Sequence, residues 1–275
     1  MPQPSVLTEA TVSGEQVTAN LVEIFSAIQG EGVNVGTRQL FVRFGGCDLR
    51  CRYCDSVQTW RPTTGCEIEI EPGKRVYEQA ENPVSQAQLI EWITRLNLPY
   101  VHDSISFTGG EPLLHSKFLQ EFLPLLKRKC SLPIYLETGG HRDRDLERVL
   151  PYVDMIGMDM KLPSVSGETL WDAHRRFLRM AHGRSDIFCK LIISNRTTIE
   201  DLQTAAEVIA SVDNAIACFL QPMTPVGRKT HEERLEQGLA TAPSPDQVLD
   251  WQVLMKRSLR DVRVIPQTHK MIDQK

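Results

Sequence analysis

Cys47-Asp-Leu-Arg-Cys51-Arg-Tyr-Cys54 sets three thiols at C-x3-C-x2-C spacing, directly after the apolar stretch Phe41-Val-Arg-Phe44. Three thiolates hold three irons of a [4Fe–4S] cluster and leave the fourth iron open to another ligand. An open iron is a reactive position, so the spacing points to catalysis by electron transfer rather than to a structural staple. Two plainer readings stand beside it. Structural zinc takes four ligands in a closed site, often as paired C-x2-C units. Here one C-x2-C occurs, and Cys66 as a fourth ligand lies beyond the loop-like Arg61-Pro-Thr-Thr-Gly65. The third reading is three unrelated thiols.

The other cysteines narrow the setting. Seven in all, an odd count clustered at one end, do not form a disulfide framework. Cys189 and Cys218 lie in apolar runs and read as buried structural thiols. The expected location is therefore a reducing cytoplasm. Across 275 residues, 41% hydrophobic and 24% charged content is ordinary for a globular protein, and the length suits one large α/β domain or two small ones. A net charge of −4 gives no support for binding nucleic acid or an acidic membrane surface. No apolar run approaches the roughly 20 residues of a membrane span. Residues 1–18 lack the apolar centre of a secretory signal and read as a flexible leader to a single core of residues 19–275.

Short apolar or β-branched runs alternate with helical stretches through that core. Expected strands cover 21–25, 40–44, 104–107, 134–137, 155–159, 188–193, 218–221 and 262–265. Expected helices cover 85–96, opened by a Ser85/Gln88 capping pair, then 117–128, 143–150, 169–180, 199–211 and 246–259. Alternation of this kind implies parallel β/α units with right-handed crossovers. With about six such units, a barrel or partial barrel is expected, its functional groups gathered at the C-terminal strand ends. Two stretches break the pattern. Residues 58–83 read as an inserted loop or small β excursion, and 223–245, with prolines and many charges, as an irregular surface loop.

Ser104-Ile-Ser-Phe-Thr-Gly-Gly-Glu-Pro112 carries the second signal. A buried strand ends at Thr108, two glycines follow where backbone approaches something closely, and Glu111 offers a carboxylate before Pro112 opens a helical turn. The glycines by themselves fit an ordinary tight turn as well. Together with the cysteine triplet, Gly109-Gly110-Glu111-Pro112 resembles the radical S-adenosylmethionine superfamily. In that superfamily the cofactor's amino and carboxylate groups chelate the open iron, and the Gly-Gly-Glu strand end holds the methionyl ammonium. The reduced cluster then cleaves the sulfonium to a 5′-deoxyadenosyl radical.

Further stretches narrow the likeness. Glu23-Ile-Phe-Ser-Ala-Ile-Gln-Gly-Glu-Gly32, Phe41-Val-Arg-Phe44, Glu137-Thr-Gly-Gly140, Gln221-Pro-Met223 and Gln267-Thr-His-Lys270 occur in the order found in the 7-carboxy-7-deazaguanine synthase family. The resemblance runs from residue 23 to the C-terminus. It implies a partial β/α barrel of the radical SAM type and a ring contraction of 6-carboxy-5,6,7,8-tetrahydropterin to 7-carboxy-7-deazaguanine with release of ammonia. S-adenosylmethionine is then regenerated, and the product feeds 7-deazapurine synthesis, typically queuosine in tRNA.

Carried over by position, the resemblance makes Cys47, Cys51 and Cys54 the cluster ligands. It places Gly109, Gly110 and Glu111 at the cofactor's amino-acid end, and Tyr53, Cys54 and Asp55 beside its adenosyl group. Asp159, Met160 and Lys161 are further cofactor contacts, as are Gln221, Pro222, Met223 and Thr224. Asp159 and Lys161 have a strand-end salt bridge as their plain reading. For the pterin the matching residues are Ile28, Gln29, Gly30, Glu31, Arg43, Thr108 and His269. Arg43 suits a carboxylate through its fork geometry, against a surface salt bridge as its plain reading, and His269 is weighed against a purely structural histidine.

Two features test the pattern. Where the family commonly has Thr after the Cys-Asp pair, contacting a Mg2+ that also touches the substrate, this chain has Ser56; the hydroxyl a hard cation needs is kept. The spacing from Gln267-Thr-His to Lys275 equals that of members whose terminal carboxylate enters the site. The resemblance further implies a homodimer and a reducing partner such as flavodoxin or ferredoxin. One alternative is an enzyme that activates a glycyl-radical partner; another is a non-catalytic zinc or iron–sulfur binding protein.

Overall fold

The computed structural model describes residues 17–224 and 239–274. Within them one ten-stranded sheet runs β10-β9-β8-β7-β6-β5-β2-β1-β3-β4 and does not close on itself. In chain order the strands are β1 (Leu21–Ile28), β2 (Arg38–Phe44), β3 (Gly65–Glu69), β4 (Tyr77–Glu81), β5 (Ser104–Gly109), β6 (Ile134–Thr138), β7 (Met155–Asp159), β8 (Asp186–Ile193), β9 (Cys218–Pro222) and β10 (Val262–Val264). From β2 through β5 to β10 every pairing is parallel. Helices α1 (Gln86–Leu96), α2 (Ser116–Lys129), α3 (Asp143–Val149), α4 (Pro163–Ser166), α5 (Trp171–Ala181) and α6 (Ile199–Ala210), with the helix Pro245–Lys256, supply the crossovers. The partial β/α barrel expected from the alternation is the fold.

Period-two alternation decides what enters the barrel. In β5, Ile105 and Phe107 join the main core beneath the helices, while Ser106 and Thr108 face the interior and donate to Glu137 of β6. In β8, Cys189, Leu191 and Ile193 go to the core, and Phe188, Lys190 and Ile192 turn inward. The interior is consequently layered. Its lower level is an aromatic plug of Tyr135, Phe188 and Phe219, with ring centroids 6.2 and 5.3 Å apart along the chain of contacts. Its upper level, toward the C-terminal strand ends, is polar and carries Glu137, Lys190 and Gln221. The plug forms a floor beneath the polar level.

The expected excursion at 58–83 is a hairpin, β3 and β4, that extends the sheet by pairing β3 in parallel with β1. Ser26 and Glu69 fasten it: the Ser26 amide donates to the buried Glu69 carboxylate at 2.8 Å, and Ser26 Oγ meets His102 Nε2 at 2.8 Å. The capping box at Ser85 and Gln88 forms as the sequence predicts. The helix expected from 169 begins at Trp171, and that expected from 246 begins at Pro245, capped by Ser244. Val17 packs against the core although it lies inside the expected leader. Residues 1–16 of that leader, most of the 223–245 stretch, and Lys275 lie outside the described residues.

Candidate active site

The open end of the barrel holds a cavity of about 570 Å3. Its wall begins where β2 ends. Residues 45–56 form neither helix nor strand, and this segment folds back so that Cys47, Cys51 and Cys54 all line the cavity as free thiols. Burial pushes the Cys51 thiol up to about 11. Thiolate therefore forms there when a cation shares its charge. Among the described residues no three His, Cys, Asp or Glu side chains converge on one metal ion. Ligands that each take a different iron of a cluster need not converge, whereas a closed zinc site must. The donor set fits a cluster.

Beside the thiols, β5 ends in Gly109 and Gly110. Gly109 has φ +132°, a conformation side chains disfavour, and a Cβ on Gly110 would overlap the Gly46 carbonyl next to Cys47. The Gly110 and Glu111 amides donate to the Phe44 and Gly46 carbonyls at 3.1 and 2.9 Å, locking strand end and cysteine segment together. Glu111, which lines the cavity, is also tied into the fold. Its carboxylate accepts from the Leu113 amide at 3.0 Å, Thr138 Oγ1 at 2.8 Å and the Gly139 amide at 2.9 Å. With about four lone-pair sites on a carboxylate, most of its capacity serves the fold. Gly110→Ala is expected to force the Gly46–Cys47 backbone outward, lowering stability by about 1–3 kcal/mol and weakening iron retention; denaturation midpoints and iron content check both.

Of the strand-end residues, Asp159 and Lys161 line the cavity and pair at 2.6 Å, with the Lys161 ammonium 5.4 Å from the Tyr53 ring centroid. Burial pulls Lys161 down, but Asp159 and Tyr53 outweigh it and leave the ammonium firmly charged. Met160, between them, points away into the core and brings no side chain to the cavity. Strand alternation likewise takes Pro222 off the wall while Gln221, Met223 and Thr224 remain on it. Tyr53 Oη, Asp159 Oδ1 and Gln221 Oε1 are buried without a hydrogen-bond partner among the described residues. Buried polar atoms rarely stay unpaired, so these three lining one cavity fit a polar ligand such as a nucleoside with an amino-acid tail.

The opposite wall comes from β1 and the chain end. Ile28, Gln29, Gly30 and Glu31 line it, joined by Arg43, Thr108 and His269. Glu31 is enclosed: Lys190 Nζ donates to it, as do Gln221 Nε2 at 3.0 Å and Gln267 Nε2 at 2.8 Å. Burial pushes this carboxyl up, but the Lys190 charge and these donors outweigh it and hold it at about 2. Glu137 takes Gln29 Nε2 at 2.8 Å and Ser106 Oγ at 3.0 Å, and burial raises it despite the Lys190 charge. Arg43 is braced by Glu23 at 2.7 Å and lies 5.7 Å from the Phe25 ring centroid. His269 packs onto Gly30, where a Cβ would collide with its ring, and Thr268 donates its amide to the Gly30 carbonyl at 3.1 Å. Ser56 Oγ donates to Asp55 at 3.1 Å, and Asp55 also meets Lys270 at 3.1 Å.

Of the two charges at the cavity floor, Lys190 belongs to no motif, and Glu137 stood only at the head of Glu137-Thr-Gly-Gly140 with no role of its own. Gln267 was visible only as part of a motif. Lys190 left a faint signal: within the apolar run 187–193 it occupies the parity of Phe188 and Ile192, hence the inward face.

Comparison with known proteins agrees with this geometry. The radical SAM superfamily matches residues 41–196, from within β2 to just past β8. A protein named 7-carboxy-7-deazaguanine synthase from Geobacter sulfurreducens is 44% identical over 260 residues, 93% of this chain and 98% of that protein. One of the same name from Thermococcus kodakarensis is 31% identical over 226 residues, 75% of this chain and 84% of its own. Among solved structures, QueE from Escherichia coli shares the fold with a TM-score of 0.55 at 22% identity, covering 84% of this chain and 100% of that one. Matched in family and along nearly its whole length, the chain belongs to the radical SAM superfamily and, within it, to the 7-carboxy-7-deazaguanine synthases.

Proposed function

We propose that the cavity contracts the ring of 6-carboxy-5,6,7,8-tetrahydropterin to give 7-carboxy-7-deazaguanine and ammonia. The observation that carries this reading is the meeting of three signals on one cavity: the cysteine triplet, the Gly-Gly-Glu strand end and the Ile28–Glu31 turn. Superfamily membership brings a [4Fe–4S] cluster and S-adenosylmethionine with it. Bound here, that pair would supply hydrogen-atom abstraction at C6, the carbon that bears the carboxylate. The protein's share is to bind, orient and keep water away.

Cys47, Cys51 and Cys54 hold the cluster. Gly109, Gly110 and Glu111 meet the amino-acid end of S-adenosylmethionine, and Tyr53, Asp55, Asp159, Lys161, Gln221, Met223 and Thr224 enclose the rest. Across the cavity, Ile28 to Glu31 read the pyrimidine edge of the pterin. Glu31 is kept ionised to accept ring N–H groups, while Arg43, steadied by Glu23, meets the substrate carboxylate through its fork. Thr108 and His269 complete the contacts, and Glu137 sets the angle of Gln29. The electron for the cluster comes from a reducing protein such as flavodoxin or ferredoxin, and the working unit is a homodimer. Both relatives carry the synthase name, which favours this reading over the activation of a glycyl-radical partner.

Mg2+ belongs to the same proposal. Ser56 and Asp55 give two oxygens at the cavity edge, and Mg2+ commonly takes one or two protein oxygens and fills its shell with water and substrate. Ser56→Ala is expected to raise the Mg2+ concentration needed for half-maximal rate. An unchanged Mg2+ response removes Ser56 from the metal site. The reading as a whole is tested by giving reduced, anaerobically reconstituted protein the carboxypterin, S-adenosylmethionine and Mg2+, then reading the products by mass. Cofactor cleavage without a deazaguanine product defeats the substrate assignment.

A further inference from the structure

We infer that His141 is a positioning residue for the cysteine segment, acting with Arg142 through Asp48. The segment needs outside support, because its only described internal backbone bond joins the Cys54 amide to the Cys51 carbonyl at 3.1 Å. Backbone ties reach it from Trp60 and Ser166, at 3.3 and 3.1 Å. Among the described residues, two side chains tie the stretch between Cys47 and Cys51. One is Arg50, whose Nη1 donates to the Cys47 carbonyl at 2.7 Å while its amide donates to Glu168 Oε1 at 2.8 Å. The other, reaching the end of β6, is Asp48. Its carboxylate oxygens are divided: Oδ1 meets His141 Nε2 at 3.0 Å, and Oδ2 accepts from Arg142 Nη1 at 2.7 Å. His141 is nearly buried, with 9% of its side chain exposed, so its ring has little freedom to swing away.

The other face of that ring completes a bracket. His141 Nδ1 lies 3.9 Å from Glu111 Oε2, and Glu111 is itself bound to Thr138 and Gly139 at the end of β6. His174 closes the arrangement by meeting the Gly139 carbonyl at 3.1 Å through Nε2. One imidazole thus stands between the residue after Cys47 and the carboxylate of the Gly-Gly-Glu strand end. Neither His141 nor Arg142 touches the cavity. What they control is the distance between the thiols and the strand end that receives the cofactor. Partners of this indirect kind fix ligand direction, and removing them costs about 10- to 100-fold in metal affinity.

The role rests on the cluster assignment, and its test separates the two. His141→Ala, Asp48→Ala and the double variant are compared with wild type by hydrogen exchange across residues 47–54 of the full chain before loading. After reconstitution, the rate of iron loss to a chelator is followed. Arg142 is left in place because it also pairs with Asp145 at 2.6 Å near the start of α3. Each single variant is expected to exchange faster in that segment alone and to lose iron about tenfold faster or more. The double variant should match Asp48→Ala, which already releases both His141 and Arg142. His141→Gln, whose amide still donates to Asp48, should recover most of the protection. Unchanged exchange and iron loss in both singles overturns the inference, as do fully additive effects. Should His141→Ala not fold, the more exposed Asp48→Ala decides alone. A wild type that loads no cluster contradicts the cluster assignment, while exchange still judges the bracket.

Discussion

Cys51→Ala is expected to leave a folded chain that retains no intact cluster and forms no product. Cys51 lines the cavity rather than filling the core, so its loss opens no large internal void. The chemistry is less forgiving. A cluster bound through three thiolates and carrying a free iron has no spare protein ligand. No other cysteine is placed to replace it. Cys189 and Cys218 are register neighbours on β8 and β9 and face the core beneath the helices, and Cys66 is buried in β3. Wild-type protein should hold about four irons and four sulfides per chain after anaerobic reconstitution. The variant should hold far less and lose cofactor cleavage entirely. Retained activity, or one tightly held zinc in the wild type, overturns the ligand assignment.

Lys190→Met should be the most damaging substitution on the cavity floor. Lys190 is the cation beside Glu31 and within electrostatic reach of Asp159 and Glu137. Removing one partner of a buried ion pair strands the other, at a cost of about 3–5 kcal/mol. Methionine keeps most of the volume, so the loss reports charge rather than packing. Near neutrality the denaturation midpoint should fall accordingly, and substrate binding should weaken because Glu31 no longer stays ionised.

The pH dependence fixes the sign. In the wild type Glu31 is held at about 2 against an ordinary 4.5. A depressed carboxyl contributes its stability above the ordinary value and loses it as pH falls toward the depressed one. The gap between wild type and Lys190→Met should therefore be widest above pH 4.5 and narrow as pH falls toward 2. A gap independent of pH would mean that Lys190 serves packing and not the charge on Glu31.

The parallel strands were legible because strands buried on both faces read as continuous apolar runs, and their spacing by helices left few topologies open. The hairpin at 58–83 was less so. Its outer strand β4, Tyr-Glu-Gln-Ala-Glu, is polar and sits at a sheet edge, where charged residues discourage further pairing. Such a strand looks like a loop in sequence. The cysteines and Gly-Gly-Glu were visible because their chemistry depends on neighbours along the chain. Lys190 and Glu137 act only after β6 and β8 are brought together with β1, and no local spacing announces that. Met160 shows the opposite case: motif position placed it with Asp159 and Lys161, and the parity of a strand end turns it into the core.

Hydrogen-atom abstraction at the pterin ring in this cavity is tested most directly with labelled substrate. Substrate carrying deuterium at C6 should be turned over by the reduced wild-type protein under anaerobic conditions. Deazaguanine product is expected to be lighter than the labelled substrate by ammonia and by the exchange of its deuterium for hydrogen from the cofactor, with deuterium appearing in recovered S-adenosylmethionine that is not consumed. S-adenosylmethionine cleaved without label and without deazaguanine would contradict abstraction at the ring.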